Sequence, residues 1–244
     1  MKTIAFTIVA LSLFPPNVLL SQWQQTSGPY GGPVNSLTIE GTILFAGTNV
    51  GVYRSTNNGA LWTDARLTNT AVNALFVNGT SVFAGTPIGV YRSTDHGLSW
   101  TVVNTGLTDL HVNAFAAGAG ILYAGTDGGV FKSSNGGTSW LSVGALPMPV
   151  ISIEVTSGAA AATLVYAGCS TKSQGASSLF LSTDHGTTWT KLGVPSNQYF
   201  IEFDGELSAA RDSLFAGAKT KYRDNQADNG QRIFVCNPKI NPRD

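Results

Sequence analysis

One eight-residue segment recurs four times along the chain, and this repetition limits the fold more than any other feature of the sequence. Each copy follows the pattern Ser-x-Asp/Asn-x-Gly-x-x-Trp. The copies occupy residues 55–62, 93–100, 133–140 and 182–189. The surrounding sequence repeats with them, since units open at Val34, Val72 and Val112 and a looser fourth unit opens at Ile151. A period of about 40 residues indicates an array of similar supersecondary units.

Each unit contains four short runs that have the character of β-strands. In the second unit they cover residues 72–76, 81–84 and 89–92, and a fourth run begins at Trp100. Short apolar runs bounded by Gly, Asn, Thr or Ser are typical of strands joined by tight turns. Four antiparallel strands in about 40 residues form one blade of a β-propeller. The sequence therefore predicts an all-β propeller with blades starting near residues 34, 72, 112, 151 and 199.

Two more repeated features favour a propeller over other β repeats. The second run of each unit ends in Ala-Gly, and such small residues let neighbouring sheets approach closely near the central axis. The third run carries an aromatic residue that can fill the wider space between blades further out. These aromatic residues are Tyr53, Tyr91, Phe131 and Phe180.

The repeated segment lies between the third and fourth runs, where its residue types suit a turn. Asp or Asn can accept hydrogen bonds from backbone N–H groups two residues on, Gly can adopt a positive φ, and a buried Trp can anchor the loop to its own blade. Two copies carry Asn57 and Asn135 in place of aspartate, which an acid/base role does not tolerate, so the segment is predicted to be structural. Its predicted structural residues are Ser55, Asn57, Gly59, Trp62, Ser93, Asp95, Gly97, Trp100, Ser133, Asn135, Gly137, Trp140, Ser182, Asp184, Gly186 and Trp189.

This segment resembles the Asp-box, or BNR repeat, of the sialidase-like propeller superfamily. That superfamily includes sialidases, xyloglucanases, sortilin-like receptors and photosystem assembly factors. The resemblance covers roughly residues 34–189 and, more faintly, the rest of the chain up to residue 244. It implies the propeller fold, but enzymes and non-enzymes share the motif, so it leaves the function open.

The N-terminal segment has the pattern of a secretory signal peptide. A single positive charge at Lys2 precedes an apolar run over residues 4–14, which is too short to span a bilayer. We therefore predict a signal peptide over residues 1–22 and a propeller over residues 23–244. The mature protein is expected to be secreted, periplasmic or at the cell surface, without stable membrane insertion.

Composition excludes several classes of partner and cofactor. Only 11% of the residues are charged and the net charge is zero, so nothing predicts binding to nucleic acid. His96 and His185 lie inside the repeated segment and His111 stands alone, so neither a metal site nor a cofactor is predicted. Cys169 and Cys236 either form a disulfide in the exported protein or are two buried, small apolar residues.

The fifth unit departs from the pattern of the other four. Its first three strands are predicted at 199–203, 213–217 and 232–236, and the last blade is incomplete because no fourth run follows. Residues 23–28, which begin with Trp23, resemble an unpaired fourth strand. Two interpretations remain open: this strand closes a five-bladed ring, or the sequence is a truncated copy of a ring of six to eight blades, as family members have.

Strand order predicts where a function could reside. The turns that carry the repeated segment lie on one face, and the turns between second and third strands lie on the opposite face. There the fourth and fifth units carry longer loops, 170–177 and 218–231, and scaffold-supported loops commonly build binding sites. The candidate binding residues are Lys219, Lys221, Tyr222, Arg223, Asp224 and Asp228. A protein or glycan is the expected partner, and the oligomeric state is left open.

The alternative is a sialidase-like glycoside hydrolase or its inactive remnant. Most glycosidases use two carboxylates about 5–10 Å apart. Glu154 and Glu202 lie in the first strands of two successive units and are the candidate pair. The arginine that precedes the first box in sialidases has no counterpart over residues 27–36. We therefore predict a non-catalytic binding or assembly module.

Overall fold

Twenty β-strands make up the regular secondary structure in the part of the chain that the computed structural model describes. That part comprises residues 26, 28–30, 32–157, 163–171, 176–192, 201–202, 207–210, 213–220 and 231–236. The strands form five four-stranded sheets, and neighbouring strands pair in the antiparallel direction throughout. The predicted all-β propeller of about five blades is confirmed.

The first four sheets each run in chain order from an inner first strand to an outer fourth strand. The first blade contains β1 (Val34–Glu40), β2 (Ile43–Thr48), β3 (Gly51–Ser55) and β4 (Thr63–Thr68). The second contains β5 (Ala74–Asn78), β6 (Ser81–Thr86), β7 (Gly89–Ser93) and β8 (Thr101–Val102). The third contains β9 (Val112–Gly118), β10 (Ile121–Thr126), β11 (Gly129–Ser133) and β12 (Leu141–Gly144). The fourth contains β13 (Val150–Ser157), β14 (Thr163–Thr171), β15 (Ala176–Ser182) and β16 (Thr190–Leu192).

The fifth sheet is built differently because its first strand is interrupted. β17 (Ile201–Glu202) and β18 (Leu207–Ala210) both pair with β19 (Ser213–Thr220), which also pairs with β20 (Gln231–Cys236). The predicted second and third strands are confirmed. The predicted first strand is confirmed only at residues 201–202, and most of its pairing is supplied by the later segment β18.

The hydrophobic core lies between blades rather than within one sheet. Three buried clusters join the first blade to the second, the second to the third, and the third to the fourth. Phe45 of β2, for example, is fully buried in the same cluster as Val72 and Ala84 of the second blade. The predicted aromatic residues Phe131 and Phe180 lie in two of these clusters, as expected of residues that fill the space between blades.

The repeated Ala-Gly pair marks the closest approach of neighbouring blades. A Cβ added at Gly47, Gly85 or Gly125 would lie 2.6–2.8 Å from the side chain of a valine that opens the next blade. Only a residue without a side chain fits there, which explains why the second strand ends in glycine. Val72, one of those valines, precedes β5 rather than lying in it, because its N–H binds the carbonyl oxygen of Thr48 in the first blade at 2.8 Å.

The two faces of the propeller follow from this strand order. We call the face that carries the four repeated segments the box face. We call the opposite face, formed by the turns between second and third strands and by the blade-to-blade connections, the loop face. No helix among the described residues has the length and apolar character needed to cross a membrane.

Candidate functional site

On the box face, each repeated segment closes on itself through one serine hydroxyl. In all four copies the serine Oγ accepts a hydrogen bond from the glycine N–H at 2.8–2.9 Å and donates one to the Asp or Asn Oδ1 at 2.7–2.9 Å. The glycines have φ between 77° and 89°, which favours a residue without Cβ. All four glycines thus have the conformation that the sequence predicted.

The Asp or Asn reaches further along the chain than the predicted two residues. Its Oδ1 accepts the backbone N–H four residues on, at 2.8–3.0 Å. In the two aspartate copies the second carboxylate oxygen also accepts a hydroxyl, from Ser99 or Thr188. These hydroxyl bonds are the largest of the contacts that lower the pKa of Asp95 and of Asp184 to about 2. Two carboxylates so occupied are poor candidates for acid or base catalysis near neutral pH.

Three of the four box tryptophans connect neighbouring blades. The indole Nε1 of Trp100 donates to the carbonyl oxygen of Ala65, that of Trp140 to Val103, and that of Trp189 to Val143, at 2.7–2.9 Å. Each acceptor belongs to the preceding blade. The prediction that the tryptophan anchors the loop to its own blade did not include these hydrogen bonds, which cross the gap between blades.

Repeated basic residues beside the boxes have a similar role. Arg54 Nη1 donates to the carbonyl oxygen of His96 at 3.0 Å, and Lys132 Nζ donates to that of His185 at 3.1 Å. Both bonds run from one blade to the box of the next. Arg92 instead binds Ser81 Oγ and lies over the Phe83 ring. Arg54 and Lys132 therefore join neighbouring blades and Arg92 binds within its own blade, so the three repeated cations are engaged within the protein rather than arranged to bind an anionic substrate.

The three histidines all have partners, which the sequence did not predict. His96 Nδ1 lies 3.0 Å from Glu40 Oε1, and His185 Nδ1 lies 3.4 Å from the hydroxyl of Tyr123. His111 Nδ1 lies 2.7 Å from Asp127 Oδ2, so it does not stand alone. Each contact joins residues well separated in sequence, which is why composition and spacing gave no signal. Within the described ranges, no group of three or more His, Cys, Asp or Glu side chains could hold a metal ion.

On the loop face, asparagines link the first strands around the inner ring. Asn35, Asn73 and Asn113 each donate through Nδ2 to the carbonyl oxygen of the valine that opens the next blade, at 3.0–3.2 Å. This explains the Val-Asn pair that begins three of the four units. The fourth unit carries Ile151 at the asparagine position and cannot make that bond.

The loop face is flat over the first three blades and raised over the fourth and fifth. The turns from β2 to β3, β6 to β7 and β10 to β11 contain only two residues each. In the fourth blade the hairpin of β14 and β15 continues through the pairs Ser170–Ser177 and Thr171–Ala176. In the fifth, β19 and β20 pair out to Lys219 and Gln231. The longer hairpins thus project on the predicted face.

The predicted binding residues lie at the end of the second of these hairpins. Lys219 is in β19, opposite Gln231 and Glu202. The other five lie outside the described residues; they are Lys221, Tyr222, Arg223, Asp224 and Asp228. Their place in the chain is the connection between β19 and β20, so the hairpin base is described and its tip is not.

The two candidate catalytic glutamates occupy different register positions along the first strands of their blades. Glu154 in β13 pairs with Tyr166, next to the Ala-Gly pair of β14, whereas Glu202 in β17 pairs with Lys219, beyond that pair in β19. Both lie in first strands, but their positions are not equivalent. Register places Glu154 where the second blade has Phe76, whose ring packs against Phe115 of the third blade. That position belongs to the sheet face directed at the next blade.

Cys169 is a free thiol buried between the third and fourth blades. Burial raises the pKa of this thiol to about 12, so it stays protonated and unreactive at neutral pH. Of the two interpretations of the cysteines, the structure shows the buried apolar one for Cys169. The side chain of Cys236 lies outside the described residues.

Comparison with known proteins identifies the fold. No protein-family model and no curated protein sequence matches the chain. Solved structures do match: a GH74 enzyme from Niastella koreensis has a TM-score of 0.63 at 18% identity, covering 91% of this chain and 33% of that chain. An ancestral GH74 enzyme gives 0.62 at 18%, covering 87% and 34%.

Two further matches are of different kinds. The extracellular domain of a proposed one-component system from B. thetaiotaomicron gives a TM-score of 0.61 at 14% identity, covering 80% of this chain and 27% of that chain. The computationally designed Ika8 protein gives 0.53 at 16%, covering 80% and 57%. The shared feature is the propeller. At these identities the matches establish the fold alone, and the chain spans about a third of the length of the GH74 enzymes.

Proposed function

We propose that this protein is an exported, non-catalytic propeller of the Asp-box type that binds a glycan or a protein through its loop face. The observation that carries the proposal is the raised part of that face, where the hairpins of the fourth and fifth blades extend beyond the two-residue turns of the other blades. Loops held on a rigid scaffold are common sites of recognition.

The box face supports the same conclusion by contrast. Its repeated polar groups are engaged in turn closure or in bonds between blades. Groups already bonded within the protein have little capacity left for a ligand. The segment between β19 and β20 instead carries two cations, Lys221 and Arg223, with Tyr222 between them. Cations and aromatic side chains are suited to binding sugars and acidic surfaces.

The matches with extracellular and carbohydrate-active propellers favour a glycan over a protein as the first ligand to test. The GH74 matches include a xyloglucanase from Xanthomonas campestris. Xyloglucan fragments and sialosides are therefore the first two classes of glycan to screen.

A loop-replacement variant tests the proposed surface. Residues 220–230 are replaced by Asn-Gly, a pair that favours a two-residue hairpin turn, so that Lys219 and Gln231 stay opposite each other and β19 and β20 remain paired. The purified protein is screened on a glycan array and by pulldown from the medium, with Asp95→Asn on the box face as the matched control. We expect the replacement to abolish the strongest interaction and the control to retain it. An interaction that survives the replacement unchanged would remove the loop from the proposal.

A glycoside hydrolase is the second candidate, favoured by the structural similarity to GH74 enzymes. Its carboxylates would be Glu154 and Glu202, which lie at different register positions in the first strands of their blades. Fluorogenic sialosides, β-glucosides and xyloglucan are incubated with the wild-type protein, with Glu154→Gln and with Glu202→Gln. We expect no turnover by any of the three. Turnover by the wild type that either substitution reduces by two or more orders of magnitude would establish an enzyme and overturn the binding proposal.

A further inference from the structure

The third blade carries a group of polar side chains on the loop face, at the point where the chain enters the blade. His111 Nδ1 lies 2.7 Å from Asp127 Oδ2, and Asn113 Nδ2 donates to the other carboxylate oxygen of Asp127 at 2.8 Å. The backbone N–H of His111 donates to Asp109 Oδ1 at 2.9 Å. We refer to Asp109, His111 and Asp127 as the polar cluster. It joins a blade-to-blade connection to the turn between β10 and β11.

The neighbouring blades show that the repeat does not need this cluster. Ala71 and Pro149 precede the opening valines of the second and fourth blades, where the third blade has His111. The position of Asp127 holds Pro87 in the second blade. Neither neighbouring blade can form the histidine-carboxylate pair, yet both form a four-stranded sheet. A departure from the repeat that the sheet does not require is a candidate for function.

Gly128 makes room for the acidic part of the cluster. A Cβ at this position would lie 2.8 Å from Asp109 Oδ2 and 3.0 Å from Asp109 Cβ. Val50 and Ile88, each about half exposed, occupy the same place in the turns of the first and second blades. A side chain of that size in the third blade would displace the Asp109 carboxylate. The glycine and the cluster therefore depart from the repeat together.

The bond to Asp127 determines which nitrogen of His111 is left for a ligand. A carboxylate accepts hydrogen bonds and has no proton to donate, so the proton of the neutral imidazole is assigned to Nδ1. Nε2 is then an acceptor, and neither it nor Asp109 Oδ2 is hydrogen-bonded to a residue that the structure describes. The His111 side chain is 46% exposed, so a ligand on the loop face can reach it. The cluster thus offers two acceptors to a ligand that donates hydrogen bonds.

The cluster lies beside the raised part of the loop face. The backbone N–H of Asp127 binds the carbonyl oxygen of His111 at 3.2 Å. In the fourth blade the backbone N–H of Ser170 binds the carbonyl oxygen of Pro149 in the same way, at 3.0 Å. Ser170 is therefore the counterpart of Asp127, and the raised hairpin of β14 and β15 extends from it. The cluster and the base of this hairpin occupy equivalent positions in adjacent blades.

We propose that the polar cluster is part of a binding site for a neutral glycan, with His111 Nε2 accepting a hydrogen bond from a sugar hydroxyl. This inference rests on the proposed function of the loop face and specifies the class of glycan. Sugar hydroxyls donate hydrogen bonds, as the two acceptors of the cluster require. An acidic sugar would bring its carboxylate close to Asp109 and Asp127, and like charges at short range are unfavourable. The cluster therefore favours neutral sugars over sialosides and uronic acids.

The test starts from a glycan array that holds xyloglucan fragments and lactose together with sialyllactose and oligogalacturonate. We expect the strongest ligand of the purified protein to be neutral, and calorimetry then measures its affinity. His111→Ala should weaken binding about 5-fold or more, as for loss of one hydrogen bond. This variant should fold, because the second blade has Ala71 at the same place. His185→Asn on the box face is the matched control and should keep the wild-type affinity, since Asn58 has a similar φ at the equivalent position of the first box.

Imidazole 15N NMR gives a second readout, which is practical because the chain has three histidines. In mildly alkaline buffer His111 should show a protonated Nδ1 and an unprotonated Nε2. Adding the neutral glycan should shift the Nε2 signal of His111 and leave the signals of His96 and His185 in place. Asp127→Asn should redistribute the proton between the two nitrogens of His111 and weaken binding. A His111 signal that the bound glycan leaves unchanged would overturn the proposal.

Asp109→Asn tests the exclusion of acidic sugars. Asn69 stands at this place in the second blade, so the variant keeps a side-chain oxygen for the His111 N–H and loses the charge. The preference for the neutral glycan over its acidic counterpart should fall about 5-fold. An unchanged preference would contradict the electrostatic part of the inference.

The outcomes separate this inference from the proposed function. A wild type that prefers acidic glycans, or a His111→Ala variant that binds the neutral glycan as tightly as the wild type, would show that the inference is wrong. The proposed function would still stand if replacement of residues 220–230 abolished that binding. If no glycan binds, the inference is wrong and a protein is the remaining ligand for the loop face.

Discussion

The box face and the loop face of this propeller differ in what varies from blade to blade. On the box face the same serine, Asp or Asn, glycine and tryptophan recur with the same hydrogen bonds in four blades. On the loop face two residues separate the second and third strands in three blades, whereas four separate them in the fourth blade and ten in the fifth. A contact needed in every blade supports the scaffold, whereas a departure confined to two adjacent blades creates a local surface. The difference directs the search for function to the loop face.

Loss of a box tryptophan is the largest effect that this comparison predicts. Trp140→Ala removes a 5% exposed side chain, its bond to Val103 and its packing against Phe115, which should lower the free energy of unfolding by about 3–5 kcal/mol. Trp62→Ala is the matched control, because Trp62 is only half-buried and its Nε1 has no partner among the residues that the structure describes. Urea unfolding, at a concentration that keeps the chain monomeric, should show a clearly smaller loss for the control. Equal losses would mean that the bond between blades contributes little.

The tryptophans also show how far the sequence can predict the fold. Period, turn chemistry and strand pattern are local properties, so the blades, the Ala-Gly pair and the turn conformation of the boxes were predictable. The direction of the tryptophan was not, because its acceptor belongs to the preceding blade. Sequence places Trp140 beside its own strands, and only the packing of blades shows that Val103 is the nearer acceptor.

A smaller effect is expected at the closest approach of two blades. A Cβ at Gly125 would lie 2.6 Å from Val150 Cγ1, so Gly125→Ala forces the third and fourth blades apart and should cost about 1–3 kcal/mol. Gly136→Asn is the control: its Cβ would meet no heavy atom within 4 Å, and Asn58 has a similar positive φ at the equivalent position of the first box. The control should change stability by less than about 0.5 kcal/mol in the same unfolding assay. A larger loss of stability for Gly136→Asn than for Gly125→Ala would contradict the conclusion that neighbouring blades pack closely at the Ala-Gly pair.

An intermediate test asks whether the inner part of the loop face is also structural. Asn73→Ala removes the bond from Nδ2 to the Val112 carbonyl oxygen, and should cost about 1 kcal/mol. Asn49→Ala is the control, because Asn49 Oδ1 makes an exposed contact with Asn35 on the same face. Thermal unfolding should separate the two. If Asn73→Ala lowers the melting temperature no more than the control does, the asparagine hydrogen bonds between blades do not stabilise the propeller.

The candidate site was less predictable than the fold, and the glutamates show why. Glu154 and Glu202 both lie in first strands, as predicted, but the interruption between β17 and β18 shifts Glu202 to a pair with Lys219. A strand interruption changes register without changing the apolar pattern that identifies a strand. The contact between His111 and Asp127 was missed for a similar reason, since it depends on a turn and a blade connection meeting on the loop face.

The smallest predicted effect concerns the difference among the boxes themselves. The pKa of Asp95 and of Asp184 is about 2 in the folded protein, below the ordinary value of 3.8. Folding therefore gains stability from these carboxylates above about pH 4, and loses it as the pH falls from about 4 towards 2. Asn57 and Asn135 do not titrate, so only two of the four boxes should weaken in acid.

Substitutions at the asparagine boxes sharpen this difference. Asn135→Asp should stabilise the protein near neutral pH and lose this stabilisation in acid, as Asp95 does. The reason is that the Ser139 hydroxyl lies where the Ser99 hydroxyl lies beside Asp95. Asn57→Asp should gain less, because Leu61 stands at that position and offers only its backbone N–H. The free energy of unfolding, measured from pH 6 to pH 2, should therefore fall more steeply for Asn135→Asp than for Asn57→Asp. Identical pH profiles would show that the hydroxyl four residues on does not set the carboxylate pKa, and that Asp and Asn are interchangeable in the box.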